Sequence, residues 1–147
     1  MYKNILIPTD GSPVSRKAIL AGVRLAKSLG AKVTGLFAAP APTPVVYQRL
    51  MPVGYMTPEE HAKLIERTAK KYLGVIEEAA QEAGVACEVV RVTNDFPADA
   101  IISVAKKKKC DLIFMASHGR KGIAGVLLGS ETHKVVTHSP IPVLVHR

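Results

Sequence analysis

The chain has 147 residues, is 48% hydrophobic and carries a formal net charge of +8, a size that suits one domain with a full core, so residues 1–147 are expected to form a single domain. No apolar run approaches the ~20 residues of a membrane span, and residues 1–4 lead into a short strand-like run instead of a signal-peptide core. These features exclude a membrane-spanning protein and make the cytoplasm the expected location.

Neither the cysteines nor the basic run points to a special class of protein. Cys87 and Cys110 lack C-x-x-C spacing, which favours reduced thiols over a disulfide or a metal site. The lysines at 106–109 fall at the end of a predicted helix, where cations complement the negative end of the helix dipole. Because tryptophan is absent and few aromatic residues lie near this run, base stacking is not supported. Nucleic acid is therefore not an expected partner, and a charge-supported helix end or a mild preference for anions explains the run.

Apolar, β-branched segments alternate with helical ones along the chain, which is typical of a doubly wound parallel sheet. The predicted strands span residues 3–9, 32–39, 86–92, 111–116 and 143–146. Capping residues and prolines predict helix starts at Ser12, Thr57, Pro97 and Ser130, and Gly30 and Gly84 are expected to end the first two helices. A proline-rich connector at residues 40–57 is a surface loop partly packed on the sheet, a flap over the ligand or a dimer contact.

The segment from Met115 to Thr132 carries the strongest functional signal. A predicted strand leads into a glycine-rich loop with two adjacent cations, and a hydroxyl-bearing helix start follows at Ser130. Glycines let backbone N–H groups approach an anion closely, and a helix N-terminus adds unpaired donors and partial positive charge. The pattern predicts a loop that holds phosphate groups.

This loop differs from the two best-known phosphate signatures, because no Gly-Lys-Ser/Thr ends it and no G-x-G-x-x-G follows the first strand. Read from Ala116, its spacing is Ala-x2-Gly-x9-Gly-Ser, which resembles the G-x2-G-x9-G-[S/T] nucleotide signature of the universal stress protein family. Residues 3–12 and 139–145 also look like the first and last strands of that family. The resemblance therefore covers essentially the whole chain.

The resemblance implies an α/β fold with a single doubly wound five-stranded parallel sheet in the order 3-2-1-4-5, Rossmann-like and similar to the adenine nucleotide alpha-hydrolases. In this order a crevice opens between strands one and four, and a ligand belongs outside the carboxyl ends of the strands. Residues 8–10 and 116–122 fall at those two ends although they are distant in sequence. Together they are expected to bind ATP, AMP or another adenine nucleotide.

The resemblance also implies roles for single residues. Pro8, Thr9, Ala38 and Met115 would border the nucleoside, with the Ala38 backbone reading the edge of the base. Asp10 is either a turn-forming aspartate or the group that meets a ribose hydroxyl or a phosphate-bound metal ion, for which Mg²⁺ is the expected ion. The phosphates would be cradled by the backbone amides of Ser117, His118, Gly119, Gly122, Gly129, Ser130, Glu131 and Thr132.

Several of these residues have simpler explanations that stay open. Ser130 and Thr132 could be ordinary helix-start residues, and Arg120 and Lys121 are either solvated or in contact with phosphate. His118 is expected to contribute its amide and not to act as a base, since the histidines show no ligand spacing with acids or thiols.

One residue departs from the family signature. Ala116 stands where the nucleotide-binding members carry the first glycine. If this position needs a positive φ, alanine costs of order 1 kcal/mol, and if φ is negative only a methyl group is added near the ligand. Because the other two glycines and the serine are intact, binding is expected to be retained, in weakened form if the methyl group crowds the nucleotide.

The expected function is that of a cytoplasmic, nucleotide-responsive stress-response module that pairs as a homodimer through the strand at residues 143–146. The dimer follows from the resemblance and from the apolar character of this predicted edge strand. The alternatives are a slow ATP-hydrolysing or nucleotidyl-transferring enzyme, or a member that has lost nucleotide binding and acts through protein contacts. Catalysis is not favoured because Asp10 is the one clear acid of the predicted crevice and phosphoryl transfer needs a base and metal-holding acids.

Overall fold

Local capping signals set the ends of the two longest helices in the computed structural model, which describes residues 1–42, 56–119 and 128–147. Helix α1 spans Pro13–Leu29, and the Ser12 hydroxyl accepts a hydrogen bond from the Ser15 N–H at 3.1 Å. Helix α2 spans Pro58–Ala83 and begins with a reciprocal capping box between Thr57 and Glu60. The predicted starts of both helices are thus confirmed. Residues 43–55 of the connector lie outside the described residues.

Two shorter helices follow among the described residues, and the start of the second corrects a prediction. Helix α3 spans Pro97–Lys107 and helix α4 spans Ser130–His138. Ser130 was expected to cap α4, but Gly129 is the N-cap and Ser130 is the first helical residue. The reason is that Gly129 packs closely on the chain after β4. A Cβ at Gly129 would lie 3.0 Å from the His118 Cα, and the Gly129 N–H donates to the Ser117 carbonyl at 2.7 Å.

Five parallel strands form one sheet in the order 3-2-1-4-5, as predicted. The strands are β1 (Asn4–Pro8), β2 (Lys32–Ala39), β3 (Cys87–Thr93), β4 (Leu112–Ala116) and β5 (Val143–His146). The central strand β1 pairs with β2 on one side and β4 on the other, with Ile5 opposite both Val33 and Leu112. The strand order changes direction at β1 and β4, which places a crevice outside their carboxyl ends.

Apolar side chains from alternate strand positions fill a core on each face of the sheet. Ile5 and Ile7 of β1 pack with α1 and α2 on one face, whereas Leu6 packs with α3 and α4 on the other. A parallel sheet covered on both faces has buried strands, and the four residues 4–7 are all buried. Within the described ranges, no helix is both long and apolar enough to cross a bilayer.

Both cysteines are free thiols. Burial, with smaller contributions from the carboxylates of Glu77 and Glu88, raises the pKa of Cys87 to about 11. Burial also raises the pKa of Cys110, which sits just before β4. Because the pKa of each thiol is raised, both side chains remain protonated at neutral pH. The thiolate is the reactive form, so both cysteines are poorly reactive.

Helices α1 and α2 end at glycines with left-handed backbone, whereas a lysine takes this conformation after α3. Gly30 and Gly84 have φ of 65° and 71°, and Lys109 has φ of 55°. The Cys110 N–H closes the turn by donating to the Ala105 carbonyl at 2.8 Å. A left-handed residue with a Cβ costs roughly 1 kcal/mol or more. The lysine at 109 is therefore present at the expense of stability.

Replacing Lys109→Gly is expected to raise the free energy of unfolding by about 1 kcal/mol, because glycine takes a positive φ without the Cβ penalty. Urea unfolding followed by circular dichroism measures the change. The neighbouring Lys108→Gly is the matched control, since Lys108 has φ of −87° and gains nothing from glycine. Equal stability of Lys109→Gly and the wild type would contradict the assigned strain.

Candidate functional site

A cavity of about 480 Å³ opens at the carboxyl ends of the central strands. This volume lies in the range of roughly 300–1,000 Å³ that is common for small-molecule sites. Its lining comes from β1, β2 and β4, from the loops that follow β1, β3 and β4, and from the N-terminal parts of α1, α3 and α4. The lining residues are Pro8, Thr9, Asp10, Ser15, Leu36, Phe37, Ala38, Asp95, Pro97, Ile101, Met115, Ala116, His118, Gly119, Gly129, Ser130, Glu131 and Thr132.

The two predicted polar segments meet directly in this cavity. A Cβ added at Gly119 would overlap Oδ2 of Asp10, so the chain after β4 lies against the carboxylate that follows β1. Glycine is the residue that permits this approach. The cavity therefore joins residues 8–10 with residues 115–119, as the strand order requires.

Asp10 both shapes the turn after β1 and faces the cavity. Its Oδ1 accepts a hydrogen bond from the Ser12 N–H at 2.9 Å, which is the expected turn-forming role. Its other oxygen faces Gly119 at the cavity wall. The two predicted roles of Asp10 are thus geometrically compatible.

The side chain of Thr9 is tied into the same turn. Its hydroxyl accepts hydrogen bonds from the Gly11 N–H at 3.1 Å and from the Ser15 hydroxyl at 3.0 Å. Thr9 is buried, and its N–H donates to the Leu36 carbonyl of β2 at 2.9 Å. These hydrogen bonds fix the turn after β1 at the cavity wall, so the Thr9 hydroxyl has a structural role.

Among the described residues, three hydrogen bonds hold the chain after β4, and two of them use the N–H groups of predicted phosphate donors. The Ser117 N–H donates to the His146 carbonyl at 2.9 Å, and the Gly129 N–H donates to the Ser117 carbonyl at 2.7 Å. The Thr132 hydroxyl donates to the Ala116 carbonyl at 2.9 Å. The expectation that the Ser117 and Gly129 amides cradle phosphate is therefore wrong, because both N–H groups are used inside the fold. Ser117 is also buried outside the cavity lining.

The remaining donors lie on the chain after Ser117 and at the start of α4. His118 and Gly119 line the cavity, as do Ser130, Glu131 and Thr132, whose backbone N–H groups occupy the first turn of α4. First-turn amides have no partner within their own helix, so they are suited to an anion. The His118 ring nitrogen Nδ1 lies 3.0 Å from the Ser117 hydroxyl and is held there. Arg120, Lys121 and Gly122 lie outside the described residues, and their roles stay predictions.

The Glu131 carboxylate caps the neighbouring helix α3. Its Oε2 accepts a hydrogen bond from the Ala98 N–H in the first turn of α3 at 2.9 Å, and its Oε1 lies 3.2 Å from the Lys134 ammonium. Helix α3 has no side-chain cap of its own, because Phe96 occupies its N-cap. Glu131 thus joins α3 to α4 at the cavity rim, and its own backbone N–H belongs to the first turn of α4.

Replacing Glu131→Ala is expected to lower the free energy of unfolding by about 1 kcal/mol, which is typical for the loss of a helix cap. The exposed pair with Lys134 adds little. Urea unfolding measures the loss, and Glu131→Gln is the control, because its amide oxygen still accepts from Ala98. An equal loss in both variants would show that charge, and not the cap, carries the effect.

Ala116 takes an ordinary backbone conformation. Lys109 is the one non-glycine residue with positive φ in the described ranges, so Ala116 has a negative φ. It ends β4 opposite His146 and lines the cavity. The alanine therefore adds a methyl group near the cavity and carries no backbone strain.

Six lining residues were not predicted from the sequence. Ser15, Leu36, Phe37 and Ile101 belong to helices and strands and carry no motif that singles them out, whereas Asp95 and Pro97 follow β3 at the same sheet edge. Asp95 accepts a hydrogen bond from the Ala41 N–H at 2.9 Å and so joins the loops that follow β2 and β3. Asp95 and Pro97 follow a parallel strand, and this position was the signal that could have identified them.

Comparisons with known proteins agree with this architecture. The sequence matches the universal stress protein family over residues 1–147. Universal stress protein YxiE of Bacillus subtilis is 36% identical over 151 residues, with all of both chains covered. The structure of universal stress protein UspA from Lactobacillus plantarum aligns with a TM-score of 0.77 at 25% identity, over 99% of this chain and 98% of that chain.

A further relative was solved with a bound nucleotide. The structure of a universal stress protein in complex with cAMP aligns with a TM-score of 0.69 at 26% identity, over 99% of this chain and 97% of that chain. The family match in sequence and the structural alignments both extend over almost the entire length of this chain. This chain belongs to the universal stress protein family.

Proposed function

We propose that this chain is a cytoplasmic, nucleotide-responsive stress-response module that binds an adenine nucleotide in the cavity between β1 and β4. The observation that carries the proposal is the contact between Asp10 and Gly119, which brings the two segments of the family signature to one cavity with the first turn of α4. The solved relative in complex with cAMP supports an adenine ligand. The function is that of a binding module whose shape or partner affinity changes with its ligand.

The cavity offers separate environments for the parts of a nucleotide. Ala38 and Met115 line the cavity and would border the nucleoside, as the resemblance implies, and Leu36 adds apolar surface beside them. Asp10 lies where it could accept from a ribose hydroxyl or hold Mg²⁺ through the phosphates. The phosphates would contact the amides of His118 and Gly119 and those of the first turn of α4. ATP is the primary candidate, with AMP and a cyclic nucleotide as the alternatives.

Titration of the purified chain with ATP, AMP and cAMP, and with CTP as the pyrimidine control, with and without Mg²⁺, tests the proposal. Mass spectrometry of the untreated protein under native conditions identifies any nucleotide that co-purifies. Binding of at least one adenine nucleotide, with no binding of a pyrimidine nucleotide, is the expected result. Absence of binding in every titration would make this chain a member that acts through protein contacts alone. Rapid multiple turnover of ATP would instead identify an enzyme.

We also propose that the module is a homodimer that pairs through β5. This strand lies at the edge of the sheet, and Leu144 is 38% exposed on it. Val136 of the adjoining helix α4 is 45% exposed. An uncovered edge strand with apolar residues tends to pair with another chain, so a second copy is the natural occupant.

Replacing Val145→Lys is expected to shift the protein from dimer to monomer, because it places a charge on the pairing edge. Sedimentation velocity at several protein concentrations measures the shift. Leu64→Lys is the matched control, since Leu64 is 37% exposed on α2, away from β5. A dimer that persists in Val145→Lys would refute the assignment of this edge.

A further inference from the structure

The edge of the sheet opposite the cavity is strongly basic. We call it the amino edge, because the parallel strands begin there and the helices α1 and α3 end there. Exposed lysines reach it from the sheet and from both helical layers. They are Lys3, Lys27, Lys32, Lys106, Lys107 and Lys109.

Two of the acidic residues at the amino edge, Asp111 and Glu88, are engaged. The Asp111 carboxylate accepts the N–H groups of Lys3 and Asn4 at 2.8 and 2.9 Å, and Glu88 pairs with Lys108 at 3.1 Å. Among the described residues, the other ion pair joins Lys134 to Glu131 at the cavity rim. None of the six exposed lysines therefore has a carboxylate within 4 Å in that part of the chain. Helix α2 also ends at this edge, and Glu82 in its last turn adds a negative charge there. The basic surface is therefore centred on β2, β1 and the start of β4.

Helix dipoles account for only part of this set of lysines. Helix α2 ends without any basic residue in its last turn, and α1 has one, whereas α3 has two in its last turn and two more beyond. Lys3 and Lys32 stand at strand starts. Lys109 takes the left-handed position that glycine occupies after α1 and α2. Lys109 therefore places a charge at this edge at the cost of backbone strain.

We propose that the amino edge docks on an anionic lipid bilayer. Neighbouring strands lie about 4.8 Å apart, so Lys32, Lys3 and the lysines before β4 span about 10 Å across the sheet, and Lys27 and Lys107 extend the basic surface to both helical layers. A two-dimensional array of charges can contact a plane all at once, whereas a nucleic acid duplex is a cylinder. Clustered lysines near an anionic membrane contribute electrostatic attraction that falls off within a Debye length.

The composition of the amino edge also favours lipid over nucleic acid. All six exposed side chains are lysines, which act as point charges and lack the bidentate geometry of arginine. Exposed Phe96, which could stack on a base, belongs to the loop after β3 at the opposite edge. Docking through the amino edge leaves the cavity pointing away from the bilayer, so the proposal does not depend on nucleotide binding.

Co-sedimentation with vesicles tests the proposal. The full chain is expected to bind vesicles of phosphatidylcholine mixed with phosphatidylglycerol, to ignore vesicles of phosphatidylcholine alone, and to be released by salt. The double variant Lys32→Glu/Lys107→Glu is expected to lose about tenfold or more in partitioning. The control Lys63→Glu/Lys70→Glu makes the same change in net charge on α2 and is expected to lose much less. Circular dichroism shows that each variant is folded.

A second variant separates docking from stability. Lys109→Gly is expected to bind the anionic vesicles more weakly although it unfolds at a higher temperature, a combination that a purely structural lysine would not produce. Equal losses in the two double variants would reduce the effect to overall charge and overturn the proposal. Absence of vesicle binding by the wild type, or tighter binding to duplex DNA that the same variant abolishes, would overturn it as well.

Discussion

Replacing Gly119→Val is expected to weaken adenine nucleotide binding by about tenfold or more, which corresponds to about 1.4 kcal/mol. The new Cβ would overlap Oδ2 of Asp10, and that carboxylate is held on its other oxygen by the Ser12 N–H at 2.9 Å. Either Asp10 must leave its turn or the chain after β4 must move outward. Both responses displace groups that face the nucleotide. Isothermal titration of wild type and variant with the same nucleotide measures the loss.

A matched control shows whether this loss is local. Gly74 lies on α2, where an added Cβ meets no atom within 4 Å. Gly74→Val therefore makes the same chemical change away from the cavity, and its nucleotide affinity is expected to match that of the wild type. If Gly119→Val also binds with wild-type affinity, the contact between Asp10 and Gly119 has no role in the site and the proposed function loses its main support.

Helix ends could be predicted from the sequence because their causes are local. Ser12, Thr57 and Gly84 each act on backbone groups within about one turn of their own position. The start of α4 was misplaced by one residue for the opposite reason. Gly129 caps that helix because it packs on His118, eleven positions earlier, and no local pattern shows such a contact.

The location of the site needed the strand order, and the strand order came from the family resemblance. Once β1 and β4 are neighbours, Asp10 and Gly119 must approach each other. Which amides stay available for a ligand is a finer question. The Ser117 N–H is lost to β5 because strand pairing brings the His146 carbonyl within 2.9 Å, and a pattern of residue types does not reveal this.

The same hydrogen bonds connect the proposed ligand site with the proposed dimer edge. His146 of β5 accepts from Ser117, whose carbonyl accepts from Gly129 at the start of α4. Thr132, one turn into α4, donates back to the Ala116 carbonyl at the end of β4. Displacement of β5 would therefore be transmitted to the turn that faces the cavity. Pairing of β5 with a second copy is expected to stabilise that turn.

The largest effect on stability is expected at Ile76, which joins α2 to the sheet. Its side chain is 0% exposed, and its Cδ1 and Cγ2 lie 2.9 and 3.1 Å from where a Cβ at Gly35 of β2 would stand. Ile76 therefore fills the space that glycine leaves on the strand. Replacing Ile76→Ala is expected to lower the free energy of unfolding by about 2–5 kcal/mol, because it removes buried methyl groups and leaves a cavity.

Urea unfolding measures this loss, and Leu64→Ala on the half-exposed side of the same helix is the control, with a much smaller expected change. Because native domains are stable by only about 5–15 kcal/mol, Ile76→Ala removes a large share of the total. Ile76 does not line the cavity, so nucleotide affinity measured under conditions where the variant is folded is expected to match the wild type. A loss below about 1 kcal/mol would mean that α2 closes onto Gly35 and refills the gap, since the cost of a truncation depends on how far the site can collapse.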